Sequence, residues 1–568
     1  MAVIIAGERS GVGKTTITLT LLSCLSRRGL KVQSFKVGPD YIDPMFHKHV
    51  TGRACRNLDP VLTSENYVKE CFYRFSNLCE YALIEGVMGL FDGVSTPPLP
   101  LSLVKGGVDE EKTPPLPLPL LMGGVDEGKT PPLPLSLLRG GVDEEKTPPL
   151  PLPLLKGGVD EEKTSPLEIT LEKEGVNDFA STAHIARLLN LPVLLVVDCG
   201  RLSGSVAAIV HGYRSFDKQV NIAGVILNRV GSDRHLSLLK NSLESLQIPI
   251  YGVIKRQENI TISDRHLGLV PTAELPQLNE LIDKLVNLGE GCFDWESLLP
   301  LLLSEEGDKG TRGKEDKVMG GDGETRGQGD KETTRQAENL EISTPSSRSP
   351  IKIAVAYDKA FNFYYQDNFD FLQSLGGELV FWSPLEDSEL PKDIGGIYFG
   401  GGFPEVFAEQ LADNSSARDS VKAAICSGIP TIAECGGLMY LCEQIVDMTG
   451  KSWEMVGILP TTALMDKRLT LGYRRAMVLQ DSLLVDRGKI IYGHEFHRSR
   501  LISNSGKPLF ETYRIDCDEF TGKEGWVSPQ NLHASYIHMH WANCTEIPQR
   551  FLERCRVFNR LLTNRNFF

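Results

Sequence analysis

The sequence predicts an α/β protein of two domains, because apolar strands alternate with helical segments twice along the chain. The first alternation runs from residue 1 to about 300 and contains the stretches VIIA, VQSFKV, YALIEG, PVLLVVD, NIAGVILN and IYGVI. The second begins at about residue 351 with IKIAVAY, ELVFWS, GGIYFGGG and PTIAE. Short apolar runs separated by helical patterns are typical of mostly parallel sheets, so each half is expected to form one.

Composition narrows the class of protein. A chain of 568 residues is too long for one core, and 41% hydrophobic with 24% charged residues is ordinary for a soluble protein. The formal net charge of -14 argues against a general nucleic-acid binder, and no apolar run reaches membrane-spanning length. Twelve cysteines lack paired metal-ligand spacing, and the chain opens directly into a strand. We therefore expect a cytoplasmic protein with no nucleic-acid and no membrane partner.

Two segments differ from the globular sequence. The first is a tandem repeat whose threonines recur every 17 residues, at Thr96, Thr113, Thr130, Thr147 and Thr164. Short repeats can stack into a solenoid, but prolines alternating with leucines cannot pair as a central strand or continue a helix. Residues 96–166 are therefore expected to be a flexible insertion in a domain at 1–300. The charged, glycine-rich segment 303–350 predicts a disordered linker to a second domain at 351–568.

The first domain opens with AGERSGVGKTT, the pattern of a strand, a glycine-bearing loop and a helix. In such a loop the N–H groups and the helix N-terminus face a phosphate, Lys14 reaches the terminal phosphates and Thr15 ligates Mg²⁺. Gly7 and Gly13 are one residue further apart than the Walker A pattern allows, although the core GKT and its context are intact. The alternative is an ordinary glycine-rich turn. The context favours nucleotide binding.

Carboxylates follow the ends of two further strands of this domain. FKVGPDYIDPMFH places Lys36, Asp40 and Asp43 at one strand end, and YALIEGVMGLFDG places Glu85 and Asp92 at another. The ligand crevice of an open α/β sheet lies at the carboxyl ends of its strands. Four carboxylates exceed what one Mg²⁺ needs, which indicates metal binding together with substrate orientation. Each acid alone could equally be a helix cap or a solvated loop residue.

The second domain carries PTIAECGGLMY, where a short buried strand ends at Cys435 and a helix is expected from Leu438 onward. A cysteine on a sharp strand-to-helix turn is lifted out of the sheet, with backbone N–H groups aimed at its sulfur. Gly436 and Gly437 would let the backbone bend and a substrate approach closely. Most isolated cysteines are buried structural residues, so this stretch alone favours a nucleophile only modestly.

Nine stretches together resemble the cobyrinic acid a,c-diamide synthases, a family of glutamine-dependent amidotransferases of cobalamin biosynthesis. They are KVGPDYIDP, EGVMGLFDG, STAHIARLL, GVILNRVGS, RHLGLVP, AFNFYYQDNFDFL, YFGGGFPE, AECGGLMYL and GHEFHRS. The resemblance covers nearly all of the chain outside the repeat and the linker. The first domain also resembles dethiobiotin synthetase, which shares the early first glycine.

The resemblance implies a fold and a reaction. The fold would combine an N-terminal P-loop sheet of the dethiobiotin-synthetase type with a C-terminal α/β domain of the class I glutaminase type. In the reaction, ATP phosphorylates the c and then the a acetate carboxylate of cobyrinate, and ammonia from glutamine displaces the phosphate. The implied partners are cobyrinate, ATP and L-glutamine, with Mg²⁺ as cofactor, and a homodimer is left open.

The resemblance also implies roles for individual residues. Nucleotide contacts are implied for Gly11, Gly13, Lys14, Thr15, Thr16, Lys36 and Asn228. Metal ligation is implied for Thr15, Asp40 and Glu85, and a place at the acyl-phosphate site for Asp43 and Asp92. Cys435 would form the thioester on glutamine with His538 as its base. Candidate oxyanion donors are the backbone N–H groups of Gly436 and of Gly401 or Gly402.

The residue chemistry leaves the base open between the two histidines of ASYIHMH. A thiol needs an imidazole to form its thiolate, and the leaving ammonia needs a proton donor. The family pattern aligns His538 with the base, but His540 shares its face on a strand. Other class I glutaminases carry Glu two residues after this histidine, where this chain has His540. The third member of the glutaminase site is therefore unassigned.

The same residues argue against several other functions. A partitioning or septum-site ATPase shares the nucleotide fold but has no use for a cysteine turn and a distant histidine. A non-enzymatic binding module would be expected to lack Lys14, Glu85 or Cys435. The remaining rivals are the hydrogenobyrinic acid and nickel-sirohydrochlorin diamide synthases and cobyric acid synthase. The stretches GPDYIDP and HEFH favour the a,c-diamide group but do not indicate which metal the macrocycle carries.

Overall fold

The structure is a computed structural model that describes residues 2–94, 178–257, 260, 264–265, 268–303 and 350–565. The repeat predicted at 96–166 and nearly all of the linker predicted at 303–350 lie outside the described residues. The segments Met1–Leu99 and Asn177–Phe568 belong to one unit, so the two predicted domains can be described together.

The N-terminal half forms a seven-stranded parallel sheet in the order β3-β2-β4-β1-β5-β6-β7. Its strands are β1 (Val3–Gly7), β2 (Val32–Val37), β3 (Arg56–Leu58), β4 (Tyr81–Glu85), β5 (Val193–Asp198), β6 (Ile222–Val230) and β7 (Ile250–Lys255). A two-stranded antiparallel ribbon, β8 (Asp264–Arg265) and β9 (Gly268–Leu269), follows β7. The six stretches predicted as strands are confirmed, whereas the three-residue β3 and the β8–β9 ribbon were not predicted.

Helices cover both faces of this sheet. They are α1 (Lys14–Arg27), α2 (Ile42–Thr51), α3 (Glu65–Ser76), α4 (Thr182–Leu189), α5 (Ser205–Phe216), α6 (Asp233–Glu244), α7 (Leu278–Cys292) and α8 (Trp295–Leu302). Alternate residues of β1 point to opposite faces, so Ile4 packs in a core with α3 to α6 and Ile5 packs in a core with α1 and α8. Burial on both faces explains why the strands read as continuous apolar runs.

The C-terminal half contains a second parallel sheet, of five strands in the order β11-β10-β12-β13-β20. Its strands are β10 (Ile351–Ala356), β11 (Gly377–Trp382), β12 (Gly396–Phe399), β13 (Thr431–Glu434) and β20 (Leu532–Ser535). The helices of this half are α9 (Gln366–Ser374), α10 (Ala408–Asp413), α11 (Ser415–Cys426), α12 (Gly436–Leu441) and α13 (Glu546–Arg565). The four strands predicted here are confirmed. The helix expected from Leu438 begins two residues earlier and ends after six residues.

The C-terminal half also contains a mostly antiparallel sheet that was not predicted. Its strands are β14 (Cys442–Val446), β15 (Ser452–Glu454), β16 (Leu459–Val478), β17 (Ile490–Leu501), β18 (Phe510–Arg514) and β19 (Phe520–Glu524). The order is β15-β14-β16-β18-β19, and the long strands β16 and β17 pair antiparallel. The ladder between them shifts register between Met465 and Thr470, around a charged stretch that does not have the composition of a strand.

The two halves are joined by side chains as well as by sequence. Arg56 of β3 lies 3.2 Å from Asp367 and 2.6 Å from Asp370 of α9. Tyr473 of β16 donates a hydrogen bond of 2.9 Å to Asp59. An apolar cluster also spans both halves and includes Leu19, Tyr41, Phe46, Phe363, Tyr365 and Phe403. Among the described helices, none has the length and apolar character needed to cross a membrane.

Candidate active sites

A cavity of about 700 Å³ opens at the carboxyl ends of the N-terminal strands. Nine predicted residues line it, namely Gly11, Gly13, Lys14, Thr15, Thr16, Lys36, Asp40, Asp43 and Asn228. Gly11 and Gly13 adopt positive φ angles of 77° and 98°, which side chains disfavour. Asn228 donates a hydrogen bond of 2.8 Å to the Val12 carbonyl, and a Cβ on Gly13 would lie 2.5 Å from its Nδ2 atom. Asn228 therefore fixes the glycine loop from the end of β6.

Lys14 begins α1 at the mouth of this loop. Its Nζ atom donates to the carbonyl oxygens of Met88 and Arg9. Burial, together with the nearby Lys36 charge, lowers the pKa of Lys14 to about 8. An ammonium whose hydrogen bonds within the described residues go to carbonyl oxygens is suited to receive an anion, and a glycine loop before a helix is the type of backbone that binds phosphate through its N–H groups.

Thr15, Lys36, Asp43 and Glu85 converge on one point beside this lysine. Lys36 Nζ lies 2.6 Å from Asp43 Oδ2 and 2.9 Å from Glu85 Oε1. Thr15 Oγ1 donates a hydrogen bond of 2.6 Å to the same Glu85 oxygen and lies 3.3 Å from Asp43 Oδ2. Burial opposes the charge on Lys36, but Asp43 and Glu85 raise its pKa above the usual value, so it stays an ammonium.

Glu85 is fully buried and does not line the cavity. Its second oxygen lies 2.8 Å from His47 Nε2 of α2. Burial opposes its ionisation, but Lys36 and His47 together hold the pKa of Glu85 below its ordinary range. His47 was missed by the sequence analysis. The available signal was its spacing, because His47 follows Asp43 by one helical turn and shares its face.

The other two predicted acids make backbone contacts. Asp40 Oδ1 accepts hydrogen bonds from Ile42 N at 2.8 Å and Asp43 N at 3.2 Å, so it caps α2 as well as lining the cavity. Asp92 Oδ2 accepts a hydrogen bond of 2.7 Å from Gly89 N in the loop after β4. Asp92 does not line the cavity.

The residues present fit a magnesium ion. The Thr15 hydroxyl, the Asp40 carboxylate that lines the cavity and the Glu85 carboxylate offer hard oxygen donors, and Thr15 Oγ1 lies 2.6 Å from Glu85 Oε1. Within the described ranges, no group of three or more His, Cys, Asp or Glu side chains forms a ready metal cage. Mg²⁺ is usually held by one or two protein ligands together with substrate phosphates and water, so a complete protein cage is not required.

Cys435 lies at the end of β13, immediately before α12. Its φ of 47° is unusual for a residue with a side chain, and its N–H donates a hydrogen bond of 2.8 Å to the Ser535 carbonyl of β20. The side chain is only 3% exposed. Burial, with smaller contributions from Glu405 and Glu495, raises the pKa of the thiol. The resting group is therefore a neutral thiol that needs a base before it can act as a nucleophile.

The three predicted oxyanion glycines lie together beside this turn. A Cβ on Gly436 would lie 3.0 Å from Gly402 N and 3.4 Å from the Gly401 carbonyl carbon. Gly402 has a φ of 152°, and a Cβ there would lie 2.1 Å from the Ala360 carbonyl oxygen. A Cβ on Gly401 would lie 2.4 Å from His538 Cε1. The backbone approaches so closely here that side chains would not fit.

His538 follows β20, the neighbour of β13. The parallel register pairs Glu434 with Ser535, so Cys435 and His538 leave adjacent strands at the same edge of the sheet. The His538 ring is fully buried, and neither of its nitrogens has a hydrogen-bond partner among the described residues. Its Nδ1 atom lies 3.8 Å from Glu434 Oε2, and the ring stacks on His494 at 5.0 Å between centroids.

Glu434 and His494 were both missed by the sequence analysis. Glu434 directly precedes Cys435, where a buried strand ends, and a carboxylate buried in a strand requires a partner. That was the available signal. His494 belongs to the GHEFHRS stretch, whose alternation on β17 gave no reason to place its ring against His538.

His540 has different neighbours, although it is also buried. Its Nε2 atom lies 3.7 Å from Asp367 Oδ2, and its ring lies 4.7 Å from that of Tyr365 and 5.7 Å from that of Tyr67. Tyr67 and Arg56, the other partners of Asp367, belong to the N-terminal half. His540 therefore lies in the contact between the halves rather than beside the Cys435 turn.

A P-loop sheet joined to a glutaminase-type sheet defines a glutamine-dependent amidotransferase of the CobB/CobQ type. The CobQ/CobB/MinD/ParA nucleotide binding domain matches residues 3–270, and the CobB/CobQ-like glutamine amidotransferase domain matches residues 352–545. A cobyrinate a,c-diamide synthase of Synechococcus sp. is 46% identical over 98% of this chain and 98% of its own length. The chain belongs to the cobyrinate a,c-diamide synthase family.

Two further relatives show the range of the family. A cobyrinate a,c-diamide synthase of Synechocystis sp. is 42% identical over 99% of this chain and 95% of its own length. A hydrogenobyrinate a,c-diamide synthase of Streptomyces coelicolor is 34% identical over 98% of this chain and 97% of its own length. Membership therefore supports amide formation with glutamine as the nitrogen donor.

Proposed function

We propose that this protein amidates the a and c acetate carboxylates of cobyrinate, with ATP and glutamine as co-substrates and acyl phosphates as intermediates. The observation that carries the proposal is the convergence of Thr15, Lys36, Asp43 and Glu85 beside the P-loop cavity, in the same unit as the Cys435 turn. An amidotransferase needs both a carboxylate-activating site and an ammonia-producing site. The names of the relatives supply the substrate.

The synthetase site activates the substrate carboxylate. Loop N–H groups between Gly11 and Gly13, with Lys14 Nζ, hold the nucleotide phosphates, and Thr16 and Asn228 support the loop. A substrate carboxylate oxygen attacks the terminal phosphorus and ADP leaves, while Lys14 and Lys36 balance the charge on the transferred phosphoryl group. Asp43, which lines the cavity, orients the acyl phosphate directly, and Asp92 acts on the same site through the loop that it holds at Gly89. Ammonia then attacks the acyl carbon and inorganic phosphate leaves.

Magnesium fits the proposed synthetase site. Thr15, Asp40 and Glu85 would hold Mg²⁺, which supplies positive charge to the phosphates when bound. Lys36 already neutralises part of the carboxylate charge of Asp43 and Glu85. The nucleotide and the metal are therefore expected to bind together rather than separately.

The glutaminase site releases ammonia. Cys435 Sγ attacks the amide carbon of glutamine, and His538 takes the thiol proton and returns it to the leaving ammonia. The N–H groups of Gly436 and of Gly401 or Gly402 stabilise the oxyanion, and water then hydrolyses the thioester to glutamate. His538 is favoured over His540 because it lies against Gly401, whereas His540 faces Asp367.

Glu434 is the proposed third member of the glutaminase site. Its carboxylate lies 3.8 Å from His538 Nδ1, a distance from which it can orient the ring and support its positive charge. Glu434→Gln should lower the glutamine-dependent rate and alter its pH profile, with the ammonium-dependent rate retained. An unchanged pH profile would leave Glu434 without this role.

Hydrogenobyrinate is the second candidate substrate, because the Streptomyces coelicolor relative acts on it by name. The test supplies purified protein with cobyrinate, hydrogenobyrinate or nickel-sirohydrochlorin, each with ATP, Mg²⁺ and glutamine. Amides are counted by mass spectrometry. The proposal expects a diamide of cobyrinate formed only with ATP. If only hydrogenobyrinate is amidated, the substrate is the metal-free macrocycle rather than cobyrinate. If amides form without ATP, the reaction does not pass through an acyl phosphate.

A further inference from the structure

Four arginines line a second cavity of about 480 Å³ in the N-terminal half, beside the proposed nucleotide site. They are Arg9, Arg201, Arg229 and Arg256. Arg229 belongs to the end of β6, the other three follow the ends of β1, β5 and β7, and these four strands are neighbours in the sheet. The cavity therefore lies at the carboxyl edge, where α/β sheets bind ligands. Arg229 also lines the nucleotide cavity, so the two spaces adjoin.

The positive charge of this cavity is only partly neutralised. Arg9 and Arg229 converge on Asp198, at 3.0 Å and 2.6 Å, and Glu8 is the second carboxylate of the lining. Arg201 is exposed and has no hydrogen-bond or ion-pair partner among the described residues. Within the described residues, the Arg256 side chain makes a single hydrogen bond, of 3.5 Å, to the Gly200 carbonyl. Four guanidinium groups therefore face two carboxylates, and two of the four have donors available for a ligand.

Arg229 has an unusual backbone conformation and contacts both cavities. Its φ is 57°, a conformation that disfavours residues with side chains. In that conformation its guanidinium bonds Asp198 and also the Gly11 carbonyl at 3.2 Å. Arg229 thus ties the arginine cavity to the glycine loop of the nucleotide site.

The ligand chemistry follows from charge. The proposed substrate is a macrocycle that carries several acetate and propionate carboxylates, whereas the chain has a formal net charge of -14. Such a protein repels a polyanion unless a local positive surface receives it. Guanidinium groups bind carboxylates in paired, charge-assisted hydrogen bonds. Resting on the function proposed above, we propose that the arginine cavity binds the peripheral carboxylates of the tetrapyrrole while one acetate is activated beside Lys36.

The variants Arg201→Ala and Arg256→Ala test this site, because both side chains are exposed and neither forms an ion pair within the described residues. Each should raise the KM for cobyrinate about tenfold or more, with the KM for ATP and the rate at saturating cobyrinate retained. The assay uses ammonium as nitrogen donor. Arg201→Lys should keep part of the affinity, and Arg201→Glu should lose more than Arg201→Ala.

Direct binding separates this proposal from the function on which it rests. Cobyrinate binding is measured without ATP, by the change in its absorption spectrum on titration with the protein. Wild-type affinity should fall as salt rises, and the fall should be shallower in the alanine variants. If the wild-type protein binds cobyrinate without amidating it, the proposed function fails while the binding comparison still tests the cavity.

The matched control is Arg234→Ala. Arg234 is exposed on the first turn of α6, near the same edge of the sheet, but it does not line the cavity. Its loss should leave cobyrinate affinity and salt dependence unchanged. Equal affinity in all three alanine variants would overturn the proposal, as would a rise in the KM for ATP alone, which would make the arginines nucleotide ligands.

Discussion

Gly402→Ala isolates the oxyanion loop of the proposed glutaminase site. A Cβ at this position would lie 2.1 Å from the Ala360 carbonyl oxygen, far inside van der Waals contact. The neighbour is backbone rather than a flexible side chain, so relief requires the Gly401–Gly402 loop to move. The loop packs against Gly436, whose Cβ position is 3.0 Å from Gly402 N, and the donors would separate as it moved.

The size of the effect follows from these distances. The φ of 152° adds a backbone penalty to the steric clash. Together they should lower the free energy of unfolding by about 2 to 5 kcal/mol, unless the loop moves to relieve the clash. Loss of one oxyanion donor lowers kcat by about 100-fold to 1000-fold. We therefore expect glutamine-dependent amidation to fall by about 100-fold or more, with the ammonium-dependent rate nearly unchanged.

Gly428→Ala provides the matched control. Gly428 also has a positive φ, of 100°, but the nearest atom to its Cβ position is Phe558 Cε2 at 4.0 Å. This variant adds backbone strain without a clash and lies after α11, away from the site. Both variants are assayed with glutamine and with ammonium, and their unfolding is measured by calorimetry. A Gly402→Ala protein that keeps the glutamine-dependent rate of Gly428→Ala would refute the oxyanion assignment.

Four further predictions address single groups. Cys435→Ala should abolish amidation with glutamine but keep amidation with ammonium. If ammonium does not restore activity to this variant, the thiol has another role. His538→Ala should lose the glutamine-dependent rate as Cys435→Ala does, and His540→Ala should lose less of it. The reverse ranking would make His540 the base. Glu85→Gln should stop synthesis with either nitrogen donor but leave glutamine hydrolysis, measured as glutamate released. Stability should decrease as pH rises from about 4.5 to about 7, because burial raises the pKa of Glu524 to about 7 and the folded protein holds that proton more tightly. The loss is at most about 3 kcal/mol, and Glu524→Gln should flatten the unfolding free energy over this range.

The parallel sheets could be predicted because their signal is local. A strand buried on both faces must be apolar over its buried length, as residues 193–197 of β5 are, and the phosphate loop requires glycines next to one lysine. The third sheet could not be predicted in this way. Strand β16 carries charged side chains where its ladder shifts register, and only pairing with β17 makes it a strand.

The site contacts were harder to predict because they join distant parts of the chain. His47 meets Glu85 across 38 residues, and its spacing of one helical turn from Asp43 did not identify Glu85 as its partner. Glu434 and His538 meet only because β13 and β20 are neighbours. The preference for His538 over His540 likewise depends on tertiary contacts, because His538 lies against Gly401 and His540 faces Asp367. Residue type predicted the chemistry of the sites, and tertiary packing decided the partners.

The two proposed sites are in contact through the side chain of Tyr41. Tyr41 stands between Asp40 and Asp43 in sequence, and its buried ring lies 5.3 Å from the ring of His538. The same ring stacks at 5.2 Å on Phe363, whose N–H bonds the Gly401 carbonyl at 3.1 Å. The start of α2, which carries the carboxylates of the synthetase site, therefore cannot shift without displacing a ring packed against the proposed base and oxyanion loop. Contiguous packed contacts can carry energetic coupling between sites, and the Tyr41 ring provides one such contact between the two proposed sites.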